Sequence, residues 1–166
     1  MPAHSGVAFE ESFSCLRCGH CCEGRGGIVV SRSDLQRLCE HLGMTAETFE
    51  HTWGERRGSK LHIRAAADNI CIFFTSGAGC AVHPAKPDIC RAWPYFRGNL
   101  LDGDSLELAK EFCPGIPKEL SHADFARQGL ALLEREKLLG RGGDDEAGAL
   151  QVDDLFANLA KTDDSR

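Results

Sequence analysis

The chemistry available to this chain is concentrated in its cysteines. Cys15, Cys18, Cys21 and Cys22 stand as C-x-x-C-x-x-C-C, beside the glycines of CGHCCEGRGG. A two-residue gap lets successive thiolates converge on one centre, and thiolates are soft ligands that select zinc or iron–sulfur groups over magnesium and calcium. Adjacent side chains tend to diverge, so Cys21 and Cys22 are expected to serve two centres, or two irons of one cluster. Four further cysteines, Cys71, Cys80, Cys90 and Cys113, lie in turn-rich or proline-rich contexts. The eight together would supply two four-cysteine centres or one larger cluster with thiols to spare. The ninth, Cys39, falls on the apolar face of a capped helix, where packing explains it.

Structural zinc usually draws on two C-x-x-C pairs, and the distal cysteines here are not paired so. A C-x-x-C-x-x-C run with remote ligands is closer to iron–sulfur usage. The spacing therefore favours an iron–sulfur cluster, of the 4Fe-4S type or larger, with zinc as the alternative. His20 and His83 lie within the cysteine segments, but hydrogen-bonded or exposed histidine is the expected reading. His4, His41, His51, His62 and His122 show no ligand spacing. Arg17, Arg25 and Arg91 could offset thiolate charge. Trp93, Tyr95 and Phe96 could shield a centre from water, although core packing accounts for them equally. GRGG at 24–27 lacks the strand–helix setting of a phosphate loop, and no catalytic triad or zinc-protease motif is present.

The elements that must position these residues are short. IVV at 28–30 reads as a strand. Ser33 with Gln36 fits a capping box opening a helix over about 33–43, closed by Gly43. Thr45 caps a second helix to about Trp53. KLHIR (60–64) and ICIFF (70–74) read as short strands, a marginal pair without a metal or helix to hold it. SGAGC (76–80) and GNLLDGD (98–104) read as turns. HPAKPDICRAWP (83–94) has three prolines and allows at most a helical turn in DICRAW. EFCPGIPKEL is irregular. Ser121 with Asp124 starts a helix over 121–139, carrying Phe125, Leu132 and Leu139 at seven-residue spacing and ended by Gly140. The expected fold is a small α+β domain: irregular loops and short strands around a cysteine-ligated centre, with flanking helices. From Cys15 to Cys113 such a chain buries too little apolar surface to offset its ordering entropy unaided. Metal ligation is the natural supplement, because binding free energy becomes folding free energy.

The 166 residues suit one domain, read here as residues 1–140, followed by an acidic, partly disordered tail at 141–166, with a weak amphipathic segment from Val152 to Leu159. The net charge is −6, of which the tail holds −4 and the body −2. Neither part carries the basic footprint of a nucleic-acid binder. No run reaches the roughly 18 apolar residues of a membrane span, and MPAHSGVAFEESF has no secretory pattern. A cytoplasmic protein is expected, one in which disulfides are disfavoured and clustered cysteines serve as ligands or redox groups.

The run CLRCGHCC, then CAVHPAKPDICRAWPYF, then FCPGI resembles the CxxCxxCC cysteine-cluster family, also called the YkgJ type and described as a zinc- or iron-chelating domain. The resemblance covers roughly residues 13–117, with Phe13, the CGxCC core, the Asp34 helix, the Cys71 segment and the final CPG. Lys86 stands where members often carry Arg, and Trp93 where they tend to carry Phe. The resemblance implies a metal centre held by Cys15, Cys18, Cys21, Cys22, Cys71, Cys80, Cys90 and Cys113. Three roles are open: an iron–sulfur protein for electron transfer, metal or sulfur handling or an accessory task; a structural zinc module that binds a protein partner; and an iron–sulfur enzyme related to the flagellin lysine N-methylases. Those methylases share a similar cysteine pattern and are implied to use a four-iron cluster, but they are much longer chains, and methylation is not carried over.

Overall fold

A computed structural model describes residues 12–23, 27–140 and 142–155. They form a small α+β domain whose two hydrophobic cores meet at the cysteine segments.

The first half of the fold builds one core. Strand β1 (Val29–Val30) leads into helix α1 (Arg32–Leu42). Ser31 caps this helix through its side chain, and Asp34 returns the bond to the Ser31 N–H. The box is Ser31–Asp34, two residues ahead of the expected Ser33–Gln36. β1 pairs through Val30, which sets where the chain can turn. Gly43 ends α1 at φ 65°. Thr45 caps α2 (Ala46–Trp53), as expected. The chain runs directly into β2 (Gly54–Arg57), which turns back as β3 (Lys60–Ile63). β3 is central in the antiparallel order β1-β3-β2, with Val29 opposite His62 and Gly54 opposite Ile63. Val30, Leu38, Phe49, Leu61, Ile63, Cys71, Phe73, Val82 and Ala85 form the buried core beneath.

The strand expected at 70–74 is not one. Ile70 and Cys71 make isolated bridges to Glu23 and Ala65, and the Phe74 N–H closes a turn onto the Cys71 carbonyl at 2.9 Å. Only β4 (Phe74–Thr75) continues extended, pairing with β5 (Gly79–Cys80) around the expected turn.

The second core is helical. α3 (Asp88–Ala92) is the helical turn expected in DICRAW. α4 (Arg97–Leu101) and α5 (Gly103–Phe112) replace the expected turn at 98–104 and part of the expected irregular stretch. Asp102 is the reason: its carboxylate accepts from the Ser105 N–H at 3.0 Å, so a turn-forming residue here caps a helix. α6 (His122–Arg135) starts at Ser121 as expected, but it stops at Arg135, short of Gly140. Lys137, in the left-handed region at φ 56°, turns the chain away. Leu106, Ile116, Phe125 and Leu133 are almost wholly buried at the centre of this core. Residues of the expected acidic tail join it: Ala147, Leu150, Val152 and Leu155 are buried, Gly140 N–H donates to the Leu150 carbonyl, and Arg97 pairs with Asp154. Four apolar side chains of the acidic segment thus reach the helical core, while Gly148, Gln151, Asp153 and Asp154 between them stay exposed. Residues 156–166 lie outside the described residues. No helix among the described residues is long and apolar enough to cross a membrane.

Candidate metal centre

All eight candidate cysteines line one cavity of about 450 Å³ at the junction of the two cores. Cys22, Cys71 and Cys80 come with the first core, and Cys90 and Cys113 with the second. Cys39 packs against the first core away from this cavity, as its place on α1 led us to expect.

The loop that carries Cys15–Cys22 is pinned at both ends. At its start, the Ser14 N–H donates to the Gly115 carbonyl at 3.0 Å, and the Phe13 ring meets Tyr95 edge-on at 6.1 Å. This approach requires glycine at 115, because a Cβ there would lie 2.2 Å from the Ser14 oxygen. The CPG segment thus brings the arm alongside Cys113. At the loop's end, His20–Cys22 make a single 3-10 turn, and the Cys22 carbonyl accepts from the Cys71 N–H at 2.8 Å. Gly19 precedes that turn at φ 87°, and its missing side chain leaves room for the Phe74 ring.

Cys80 ends β5, where Phe74 lies opposite it. Cys90 sits in α3, whose placement depends on Asp34. The Asp34 carboxylate is buried and accepts from Ser31, from Arg37 at 2.6 Å and from the backbone N–H of Asp88 at 2.9 Å. Arg37 also reaches the Lys86 carbonyl and the Asp88 carboxylate, both at 2.9 Å. One residue therefore caps α1 and holds the first turn of α3, tying one core to the other.

The electrostatics are those of crowded thiols. Cys21, Cys22, Cys71, Cys80 and Cys90 lie close enough to act on one another's charge. The neighbouring thiols of Cys21 and Cys22 act most strongly on each other, through a side-chain hydrogen bond that draws Cys21 down and pushes Cys22 up. Burial, followed by the charges of Cys71 and Cys21, pushes the Cys90 thiol up. Burial also raises Cys71 and Cys80. Lys86 opposes this at Cys21, Cys80 and Cys90, and Arg17 opposes it at Cys80. Lys86 was not among the candidate cations, although its position between Cys80 and Cys90 was a usable signal. Arg91 is turned to other partners, Asp88 at 3.2 Å and Glu136 at 3.6 Å. Arg25 and His4 lie outside the described residues.

Exposure grades across the centre. Cys15, Cys18 and Cys21 are exposed, while Cys71 and Cys113 are buried. Phe73, Phe74, Val82, Ile89, Trp93 and Phe96 supply apolar wall. His83 borders the cavity, and His20 does too, packed on Phe112 at 5.5 Å. His20 Nδ1 is buried without a hydrogen-bond partner, contrary to the expectation for this residue. His62 is buried in β3, and His122 pairs with the Asn99 carbonyl.

A soft, all-sulfur donor set with two cations beside it fits a thiolate-bound metal group. Among the described residues, no three Cys, His, Asp or Glu side chains converge on one point closely enough to clasp a single ion.

No curated protein and no solved structure matches the chain. The cysteine pattern itself is diagnostic: residues 14–114 match the family CxxCxxCC, described as "Putative zinc- or iron-chelating domain". The chain belongs to this CxxCxxCC family of metal-chelating domains.

Proposed function

We propose that the chain holds an iron–sulfur centre through Cys15, Cys18, Cys21, Cys22, Cys71, Cys80, Cys90 and Cys113, and uses it to exchange electrons with a protein partner. The observation that carries this reading is one cavity of about 450 Å³ that all eight cysteines line. A structural zinc ion takes four ligands at about 2.3 Å and closes its shell. Eight thiols spread around one larger space suit a group with several metal atoms, in which different cysteines hold different irons. When bound, such a group supplies one-electron redox chemistry. The chain's own part is to orient the thiols, to place positive charge at Lys86 and Arg17, and to exclude water with Phe73, Phe74 and Phe96. The exposed Cys15, Cys18 and Cys21 leave one side of the centre near the surface, with Leu16, 60% exposed, beside them. A partner could approach there. Free thiols in this number need a reducing compartment, which favours the cytoplasm.

The test is metal and sulfide analysis of protein isolated without oxygen. A brown protein with broad absorbance near 400 nm and acid-labile sulfide is expected, and Cys71→Ser or Cys90→Ser should abolish both signals. A colourless protein carrying stoichiometric zinc and no sulfide would refute the reading.

A further inference from the structure

Five side-chain polar atoms among the described residues are buried with no hydrogen-bond partner, and two of them belong to residues that line the cysteine cavity: His20 Nδ1 and Trp93 Nε1. A buried polar group left without a partner is costly, and native chains rarely keep one. Two at one cavity point to its contents as the missing partners. His20 is ambiguous, because its ring nitrogen donates or accepts according to tautomer. Trp93 is not. An indole N–H only donates, so whatever satisfies it is an acceptor atom, and the protein offers none within reach. A sulfide in a cluster can accept such a bond, and so can a cysteine sulfur drawn in by metal.

Trp93 is also well placed for the purpose. It follows α3 directly, three residues after Cys90, and its ring packs edge-on against Phe96, which lines the same cavity. The other tryptophan, Trp53, packs on Phe49 and Phe73 in the first core and does not line the cavity.

We infer that Trp93 Nε1–H donates a hydrogen bond to a sulfur of the bound centre and sets its reduction potential. This rests on the iron–sulfur reading above. The physical effect has a definite sign. A donor to a cluster sulfur withdraws electron density and stabilises the reduced, more negative state, so it raises the potential. Trp93 is a positioning and tuning residue, and no ligand role is assigned to it.

The experiment compares unaltered protein, Trp93→Phe and Trp53→Phe after anaerobic loading with iron and sulfide. Trp93→Phe should keep the iron and sulfide content yet show a lower midpoint potential, while Trp53→Phe matches the unaltered protein. Ultraviolet resonance Raman of the indole bands gives a second readout that needs no substitution. One tryptophan should change from a free to a hydrogen-bonded N–H on loading, and that change should be missing in Trp93→Phe. If the cluster is present but Trp93→Phe leaves its potential unaltered, or if the indole bands do not respond to loading, the inference is overturned while the iron–sulfur reading stands. Uptake of zinc without sulfide overturns both.

Discussion

The two cores of this molecule are built by different rules. The helical core behind α4, α5 and α6 is closed by ordinary apolar burial, with Leu106, Phe125 and Leu133 fully enclosed. The core under β1–β3 is smaller, and each core buries one candidate cysteine, Cys71 here and Cys113 in the helical core. Between them the wall of the cavity is mostly loop, and its order depends on a few backbone bonds and on thiols that repel one another when ionised. The difference teaches where a metal bound by these cysteines would contribute most: at the junction that neither apolar core closes by itself.

The sharpest way to break that contrast is to remove the metal. With a chelator present, amide exchange at Ser14 and Cys71, whose N–H groups hold the loop ends, should accelerate roughly 100-fold, a loss of about 2.7 kcal/mol. Leu130 and Leu133 within α6 should change only a few-fold. Equal acceleration throughout the chain would mean that the cores do not fold independently of the centre. Acid should act in the same direction as the chelator. Burial raises the thiols of Cys71, Cys80 and Cys90, so these sites are protonated in the metal-free chain at neutral pH. Loading must then release protons, and apparent affinity should fall about tenfold per pH unit for each proton released as pH drops. Metal titration at several pH values, with proton release measured alongside, checks this.

Asp34→Ala removes the other tie between the cores. It strips the capping box of α1 and leaves the Asp88 N–H and Arg37 without their shared acceptor. A loss of about 2–3 kcal/mol in chemical unfolding is expected, together with faster release of the centre because α3 carries Cys90. Retention of the centre at the unaltered rate would show that α3 is placed without Asp34. Cys39→Ala should do least. It truncates a half-buried thiol on α1 outside the cavity, so stability should fall by about 0.5–1 kcal/mol with metal content unchanged.

The small α+β fold was legible in outline, and the site in part. All eight candidate cysteines line one cavity: the run at 15–22 is a local pattern, whereas the four distant cysteines entered through the family resemblance. The helices α1, α2 and α6 were readable from caps and periodicity. α4 and α5 were not, because Gly98, Asp102, Gly103 and Asp104 look like a turn until Asp102 is seen capping a helix. ICIFF looked like a strand because its composition is that of one, but Glu23 and Ala65 each offer it a single bridge, and the chain turns at Cys71–Phe74. The acidic residues after 141 masked Leu150 and Val152, which are spaced to fill the helical core. The unpaired N–H of Trp93 is a tertiary fact, and no local pattern announces it.

The loop pinned by Ser14 to Gly115 and by Cys22 to Cys71 has a consequence for affinity. A flexible eight-residue chelator must surrender its conformational freedom at the moment it binds, and that loss comes directly out of the binding free energy. Here the protein has fixed both ends beforehand, one against each core. Part of the disorder is thus lost during folding, and on the proposed reading the four thiols of the loop meet the metal with their ends already held. Lengthening the segment between Cys15 and Cys22 would return that freedom and weaken binding without removing a single ligand.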